Sequence, residues 1–145
     1  MSKSDSWENA LLLLLFNNTN AANIGDATGL RGSTTAGSLY ASLHTADPGE
    51  AGTQATSEIT YTSYARVAVA RSSSGWTVTG SSVSPFAAIT FPPGTGGSGT
   101  ASYLGIGTAS SGAGILLYSG AITPNIVCGN TITPSLTTAS ALTED

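Results

Sequence analysis

Two patterns of apolar residues divide the chain. Near the N-terminus they are continuous: Leu11 to Phe16 is an unbroken apolar run of six residues. Ahead of it, Asp5-Ser6-Trp7-Glu8 has the form of a capping box, an N-cap acceptor followed by a Glu at the third helical position. Together they predict a helix from about Ser6 to Phe16. Helical spacing places Trp7, Ala10, Leu11, Leu14 and Leu15 on one face, and Leu12, Leu13 and Phe16 carry the apolar surface most of the way round. A helix that is apolar on all sides is normally buried on all sides. The expectation is therefore that it packs across an open end of a sheet or docks on a neighbouring subunit. The run is far too short to span a bilayer. Asp5 and Glu8 stand where a signal peptide carries cations, so the helix is read as part of the mature protein.

From Leu39 the period changes to two. Leu39, Ala41 and Leu43 alternate with Tyr40, Ser42 and His44, as in a half-buried strand. Asp47-Pro48-Gly49-Glu50 is a turn, with Pro48 presetting φ and Gly49 suited to the second central position. A longer strand follows, with Tyr64, Arg66, Ala68 and Ala70 on one face and Ala65, Val67, Val69 and Arg71 on the other. A turn at Ser72–Gly75 predicts that this strand forms a hairpin with Trp76–Thr79. Val83 to Phe91 reads as a strand in which Pro85 marks an edge or a bulge. Pro92 to Gly99, PPGTGGSG, reads as a flexible loop. Alternation resumes over Thr100–Thr108, Gly114–Ser119, Thr123–Cys128 and Thr131–Thr133, with Gly129-Asn130 as a hairpin turn and Pro124 and Pro134 at strand ends. About eight short strands at regular spacing predict an all-β fold, a single β-sandwich or jelly-roll domain with an N-terminal helix. The expected organisation is a helix and extended arm over residues 1–38, the β-domain over 39–134 and an exposed polar tail over 135–145. The segment between helix and sheet, Asn17 to Ser38, shows no period. Such a segment is often functional, and it is read as an arm that orders against a partner, with Arg31 as its anchor.

Composition narrows the function. Only 8% of residues are charged and the net charge is −4. Lys3, Arg31, Arg66 and Arg71 are the only basic residues, too few and too scattered for a phosphate-binding surface, so no nucleic-acid partner is expected. Cys128 stands alone, which excludes an intrachain disulfide framework and a cysteine-based metal cluster.

Candidate chemistry is sparse. His44, Asp47, Glu50 and Glu58 form the densest ionisable set, but a metal site needs ligands that converge, and the turn already explains Asp47 to Glu50. A serine–histidine mechanism has His44 as its single candidate base, without a Gly-x-Ser-x-Gly elbow. Gly94–Gly99 is glycine-rich but lacks the lysine and helix start of a phosphate loop. Tyr40, Tyr61, Tyr64, Trp76 and Tyr103 suit core and cross-strand packing better than a ligand platform. The expectation is a protein with no enzymatic activity, no catalytic residues, no metal and no cofactor.

Residues 39–78, LYASLHTADPGEAGTQATSEITYTSYARVAVARSSSGWTV, and 89–123, ITFPPGTGGSGTASYLGIGTASSGAGILLYSGAIT, resemble a family of small tailed-bacteriophage virion proteins commonly labelled tail fibre proteins. The resemblance implies a virion structural protein made in the host bacterial cytoplasm. Because the chain is short and not repetitive, it looks more like a capsid cement (decoration) protein that binds the major capsid protein and copies of itself as a homo-oligomer. Its partner-binding residues would then be Trp7, Leu11, Leu12, Leu14, Leu15, Phe16 and Arg31. The alternative is a tail fibre or tail-tip component that contacts other tail proteins and a host surface receptor, the latter through the Pro92–Gly99 and Ala46–Ser57 loops. No membrane partner is implied.

Overall fold

A computed structural model describes residues 2–144. It contains one helix, α1 (Asp5–Asn17), and nine strands among the described residues: β1 (Ser38–His44), β2 (Val67–Ala70), β3 (Trp76–Thr79), β4 (Ser82–Pro85), β5 (Ile89–Thr90), β6 (Ser98–Gly107), β7 (Leu116–Gly129), β8 (Ser135–Leu136) and β9 (Leu142–Thr143). The fold is all-β with an N-terminal helix. The strands form sheets of order β2-β1-β6-β7, β3-β4-β9 and β5-β8. The chain passes repeatedly between two compact units, residues 2–38, 69–88 and 137–144 in one, 39–68 and 89–136 in the other.

In the first unit α1 packs on β3 and β4. The helix begins one residue before the expected capping box: Ser4 is the N-cap, and its carbonyl accepts from the amides of Trp7 and Glu8 at 2.8 and 2.9 Å. Asp5 and Glu8 lie in the first turn instead, where the helix dipole favours negative charge. The buried stripe is Glu8, Leu12 and Phe16, spaced four residues apart on one side of the helix. The expected Trp7–Leu11–Leu14–Leu15 face is only half-buried. An all-apolar helix offers no unique stripe. Here Phe16 meets the Trp76 ring edge-on, with centroids 4.9 Å apart, and that contact sets the rotation.

The C-terminus of α1 carries no basic residue of its own. Arg71, arriving from the end of β2, supplies the cation: its Nε donates to the Leu15 carbonyl at 2.6 Å and Nη2 to the Leu14 carbonyl at 2.8 Å. Its Nη1 donates to Ser33 Oγ and the Ala36 carbonyl, both at 3.1 Å. These bonds satisfy carbonyls that every helix end leaves open. The segment after the helix is folded back on itself. Ala21 and Leu30 exchange two backbone hydrogen bonds of 2.9 Å, Asn18 bonds both backbone groups of Ser33, and Asn20 accepts from the Gly32 amide. Side-chain amides thus provide the pairing that a period-two pattern would have announced.

The hairpin expected between β2 and β3 does not form. The amides of Gly75 and Trp76 both return to the Ser72 carbonyl, and β3 pairs with β4 in the register Trp76↔Pro85 to Thr79↔Ser82. Gly80, at φ +59°, makes the reversal. The polar tail, expected to be exposed, adds β9 to this sheet through Val83↔Leu142 and Ser82↔Thr143, and the Glu144 amide donates to the Ser81 carbonyl.

In the second unit β1 and β6 pair from Tyr40↔Gly107 to His44↔Tyr103. The strand is not half-buried: Ser42 and His44 are as fully buried as Leu43; β1 lies inside the sheet between β2 and β6, and the 54–66 segment bonds to its end through the Ile59 amide on the Leu43 carbonyl and His44 Nδ1 on the Thr56 carbonyl. That segment is loop until Val67. Tyr64 turns back to the Tyr61 carbonyl, so the regular strand expected from Tyr64 shortens to Val67–Ala70. The strand expected over Val83–Phe91 breaks after Pro85 into β4 and β5. The two strands expected over Gly114–Ser119 and Thr123–Cys128 are one, β7. Pro124 sits inside it, which an outermost strand tolerates because one side of its backbone needs no ladder partner. Residues 131–133 form no strand, and β8 pairs with β5 instead. The Pro92–Gly99 loop is pinned: Pro92 O accepts from Tyr61 Oη at 2.7 Å, and Thr62 pairs with Gly96. A Cβ on Gly94 would lie 2.0 Å from the Gly129 carbonyl oxygen, so this glycine serves close packing rather than mobility.

Candidate functional site

Glu58, one of the ionisable residues singled out in the sequence, enters a largely buried network in the second unit. Glu58 meets Arg66 in a two-pronged ion pair, Nε to Oε1 and Nη2 to Oε2, each 2.7 Å. Only 2% of the Arg66 side chain is exposed. Two further N–H groups donate to the carbonyls of Ala109 at 2.9 Å and Gly112 at 2.6 Å. Tyr64 Oη donates to Glu58 Oε1 at 2.8 Å and accepts from the Leu43 amide at 3.0 Å. The two charges are paired and four of the five guanidinium N–H groups are hydrogen-bonded, the condition under which a buried ion pair is tolerated. The hydrogen bond to Glu58 holds the Arg66 guanidinium more firmly protonated than usual. Burial pushes the Tyr64 phenol far above its ordinary range.

His44 and Ser42 form a second buried pair. A carbonyl can only accept, so His44 Nδ1–H donates to the Thr56 oxygen at 2.8 Å, and Nε2 is left to accept from Ser42 Oγ at 2.9 Å. Burial lowers the His44 pKa, more than the Thr56 carbonyl and the Glu58 carboxylate raise it, which keeps the ring neutral. The arrangement has the local form of a serine–base dyad, yet both side chains are fully buried. Its role is to join β1 to the Thr56 loop.

Gln54 is the third buried polar residue. Its Oε1 accepts from the Ala109 amide at 2.9 Å and Nε2 donates to the Tyr40 carbonyl at 3.4 Å. The side chain lies where a Cβ on Gly107 or Gly114 would stand, within 2.1 and 2.4 Å of its atoms. Those two glycines admit it. Neither Gln54 nor the Arg66–Glu58 pair stood out in the sequence. Low overall charge was the available signal: in a chain with four basic residues, an arginine beside strand residues is more suited to an internal ion pair than to a solvated face.

The candidate metal set disperses. His44 and Glu58 point inward, whereas Asp47 and Glu50 stay exposed on the turn. Among the described residues no group of three or more His, Cys, Asp or Glu is placed to hold an ion. The aromatic set disperses too: Tyr61 and Trp76 are buried, Tyr64 stacks on Phe91 at 6.2 Å, and Tyr40 and Tyr103 are half-buried. Of the residues expected to bind a partner, Leu12 and Phe16 are fully buried in their own unit and present no surface. Trp7, Leu11, Leu14 and Leu15 are half-buried, and Arg31 is exposed.

The surface of the second unit carries a cleft of about 470 Å³. One wall is the turn carrying Asp47, Gly49, Glu50 and Gly52, the other the start of β7 from Leu116 to Ser119. The turn is braced: Asp47 Oδ1 accepts from the Gly49 amide at 2.9 Å, and the Gly49 carbonyl accepts from Gly52 at 3.0 Å. Gly49 takes φ +70°, as its position in the turn requires.

Over residues 2–141 the chain matches the family model described as podophage GP4 fiber I protein gp80. The chain belongs to that family. No curated protein matches it. Membership makes this a non-enzymatic structural protein of the tailed-phage virion. No helix among the described residues is long and apolar enough to cross a membrane.

Proposed function

We propose that the protein is a subunit of a phage tail fibre, built into the virion through the apolar surface of α1. The observation that carries this reading is the family match, which names a podophage fibre protein and spans nearly the whole chain. Assembly through α1 is supported by the apolar side chains that the helix leaves partly open. Trp7, Leu11, Leu14 and Leu15 remain partly open to solvent on a helix whose opposite side is already packed. Permanent interfaces are apolar in this way. The partners are copies of this chain or other tail proteins.

A second reading, capsid cement bound to the major capsid protein, is favoured by a sequence without fibrous repeats. Copy number separates the two. Quantifying the protein against the major capsid protein in purified virions should give a few to some tens of copies for a fibre subunit. Hundreds of copies would replace the fibre reading with cement. Leu11→Gln with Leu15→Gln should lower the melting temperature, since both side chains are half-buried, yet leave the chain folded and reduce incorporation into particles. Full incorporation of that variant would remove α1 from the interface.

A further inference from the structure

Ser42 has two acceptors within reach and a single hydroxyl proton. Its Oγ lies 2.9 Å from His44 Nε2 and 3.3 Å from the Gly105 carbonyl oxygen, across the β1–β6 ladder. Both side chains are fully buried, where a polar group left without a partner is costly. A Cβ on Gly105 would collide with His44 Nε2 and Ser42 Oγ, so this glycine leaves the room in which the two side chains meet.

The neutral ring uses only one of the two acceptors. With Nδ1–H committed to the Thr56 carbonyl, Nε2 accepts from Ser42. A protonated ring reverses that bond, because both of its nitrogens only donate. The Ser42 oxygen then accepts, and its own proton needs another acceptor. The Gly105 carbonyl is already in place for it.

We propose that Ser42 is a hydroxyl rotor, which lets the buried His44 become charged inside the folded protein. A proton from solvent binds the Nε2 lone pair, Nε2–H donates to Ser42 Oγ, and the Ser42 O–H turns to the Gly105 carbonyl. The change needs only rotation about the Ser42 Cβ–Oγ bond. Nδ1–H stays on Thr56, so β1 keeps its tie to the 45–57 loop in both protonation states. The charged and titratable groups around the ring are Glu58 and Arg66, with Tyr64 bound to Glu58 Oε1 and Tyr103 opposite His44 on β6. Glu58 favours the added charge and Arg66 opposes it. Acid therefore charges the core at β1 without releasing the loop, wherever in the virion the protein sits.

His44 is the single histidine of the chain, so its ring signals are unambiguous. The test follows the full chain by NMR from about pH 8 to about pH 4, a span that brackets the ordinary titration of histidine. It reads long-range proton–nitrogen spectra of the imidazole and the carbonyl carbon shift of Gly105. The expected result is an Nδ1–H tautomer at neutral pH and protonation of Nε2 on acidification, while the amides of residues 45–57 keep their native dispersion. The Gly105 carbonyl should shift with the same midpoint as the ring. Ser42→Ala removes the acceptor of the charged ring and should lower that midpoint by about one pH unit, the difference between a charge-assisted and a neutral hydrogen bond. The Gly105 signal is read in the parent chain, so the test stands even where Ser42→Ala fails to fold. An Nε2–H tautomer at neutral pH, a Gly105 carbonyl that does not follow the ring, an unchanged midpoint in folded Ser42→Ala, or loss of native dispersion as the ring protonates each overturns the rotor.

Discussion

Arg66 shows how one side chain can hold several loops. Its guanidinium joins Glu58 to the carbonyls of Ala109 and Gly112, and so ties the 58–66 stretch to the loop at 109–112. Replacing it by Ala leaves the Glu58 carboxylate without its counter-charge and strands two carbonyls. A loss of about 3–5 kcal/mol is expected for breaking one side of a buried ion pair, measurable by urea denaturation. An Arg66→Met/Glu58→Leu double variant should recover much of that loss, because the second change removes the orphaned charge. His44 gives the residue scale its pH dependence. Its folded-state pKa lies below the ordinary value of 6.5, so the unfolded chain takes up the proton first as pH falls. Stability should therefore be full above about pH 6.5 and decline as pH drops below it, levelling only once the folded ring also protonates. The groups facing the ring are Ser42, the Thr56 carbonyl, Glu58 and Arg66. Denaturation midpoints of the parent and His44→Gln, compared between pH 7 and pH 5, should converge as pH falls; a constant difference would refute the assignment.

At the scale of elements, tight spaces and borrowed caps matter more than propensity. β6 and the loop after it come close enough to Gln54 that Gly107 cannot carry a side chain. Gly107→Ala should cost about 1–3 kcal/mol as overpacking. Gln54→Ala in the same chain should relieve part of the clash, so the two effects should fall short of additive in a double-mutant cycle. The cap of α1 is borrowed from another element. Arg71→Ala removes both side-chain hydrogen bonds to the last turn and should destabilise by about 1–3 kcal/mol, with a lower helical signal by circular dichroism before the main unfolding transition. Strand identity was only partly legible. β1 and β6 carry clear alternation and were readable near their true limits. The β2–β3 hairpin was misread because a short serine-rich turn can either reverse a strand onto its neighbour or send it elsewhere. The Ser72 carbonyl, by accepting from Gly75 and Trp76, sends it to β4.

At the scale of the whole molecule, the N-terminal helix belongs to a unit assembled from three separated segments. Phe16 and Leu12 fill its core and Trp76 closes on Phe16. Phe16→Ala should cost about 3–5 kcal/mol, as large aromatic truncations in cores do. Limited proteolysis should then cut first within residues 69–88, the segment that loses its packing partner. Local pattern alone revealed the all-β class, the single helix, the turn at Pro48-Gly49 and the scarcity of chemistry, because these depend on neighbours along the chain. The family motif between Leu39 and Thr123 was legible for the same reason. Tertiary structure alone decided which stripe of α1 is buried, that Glu58 finds Arg66, that the tail completes two sheets, and that the Asp47 turn stands across a cleft from β7. Glu58 and Arg66 lie only eight residues apart but no helical or strand period joins them; the other three require residues far apart in sequence to meet. An apolar helix without a preferred face, or a carboxylate without a nearby cation, takes its role from the surface that folding brings to it.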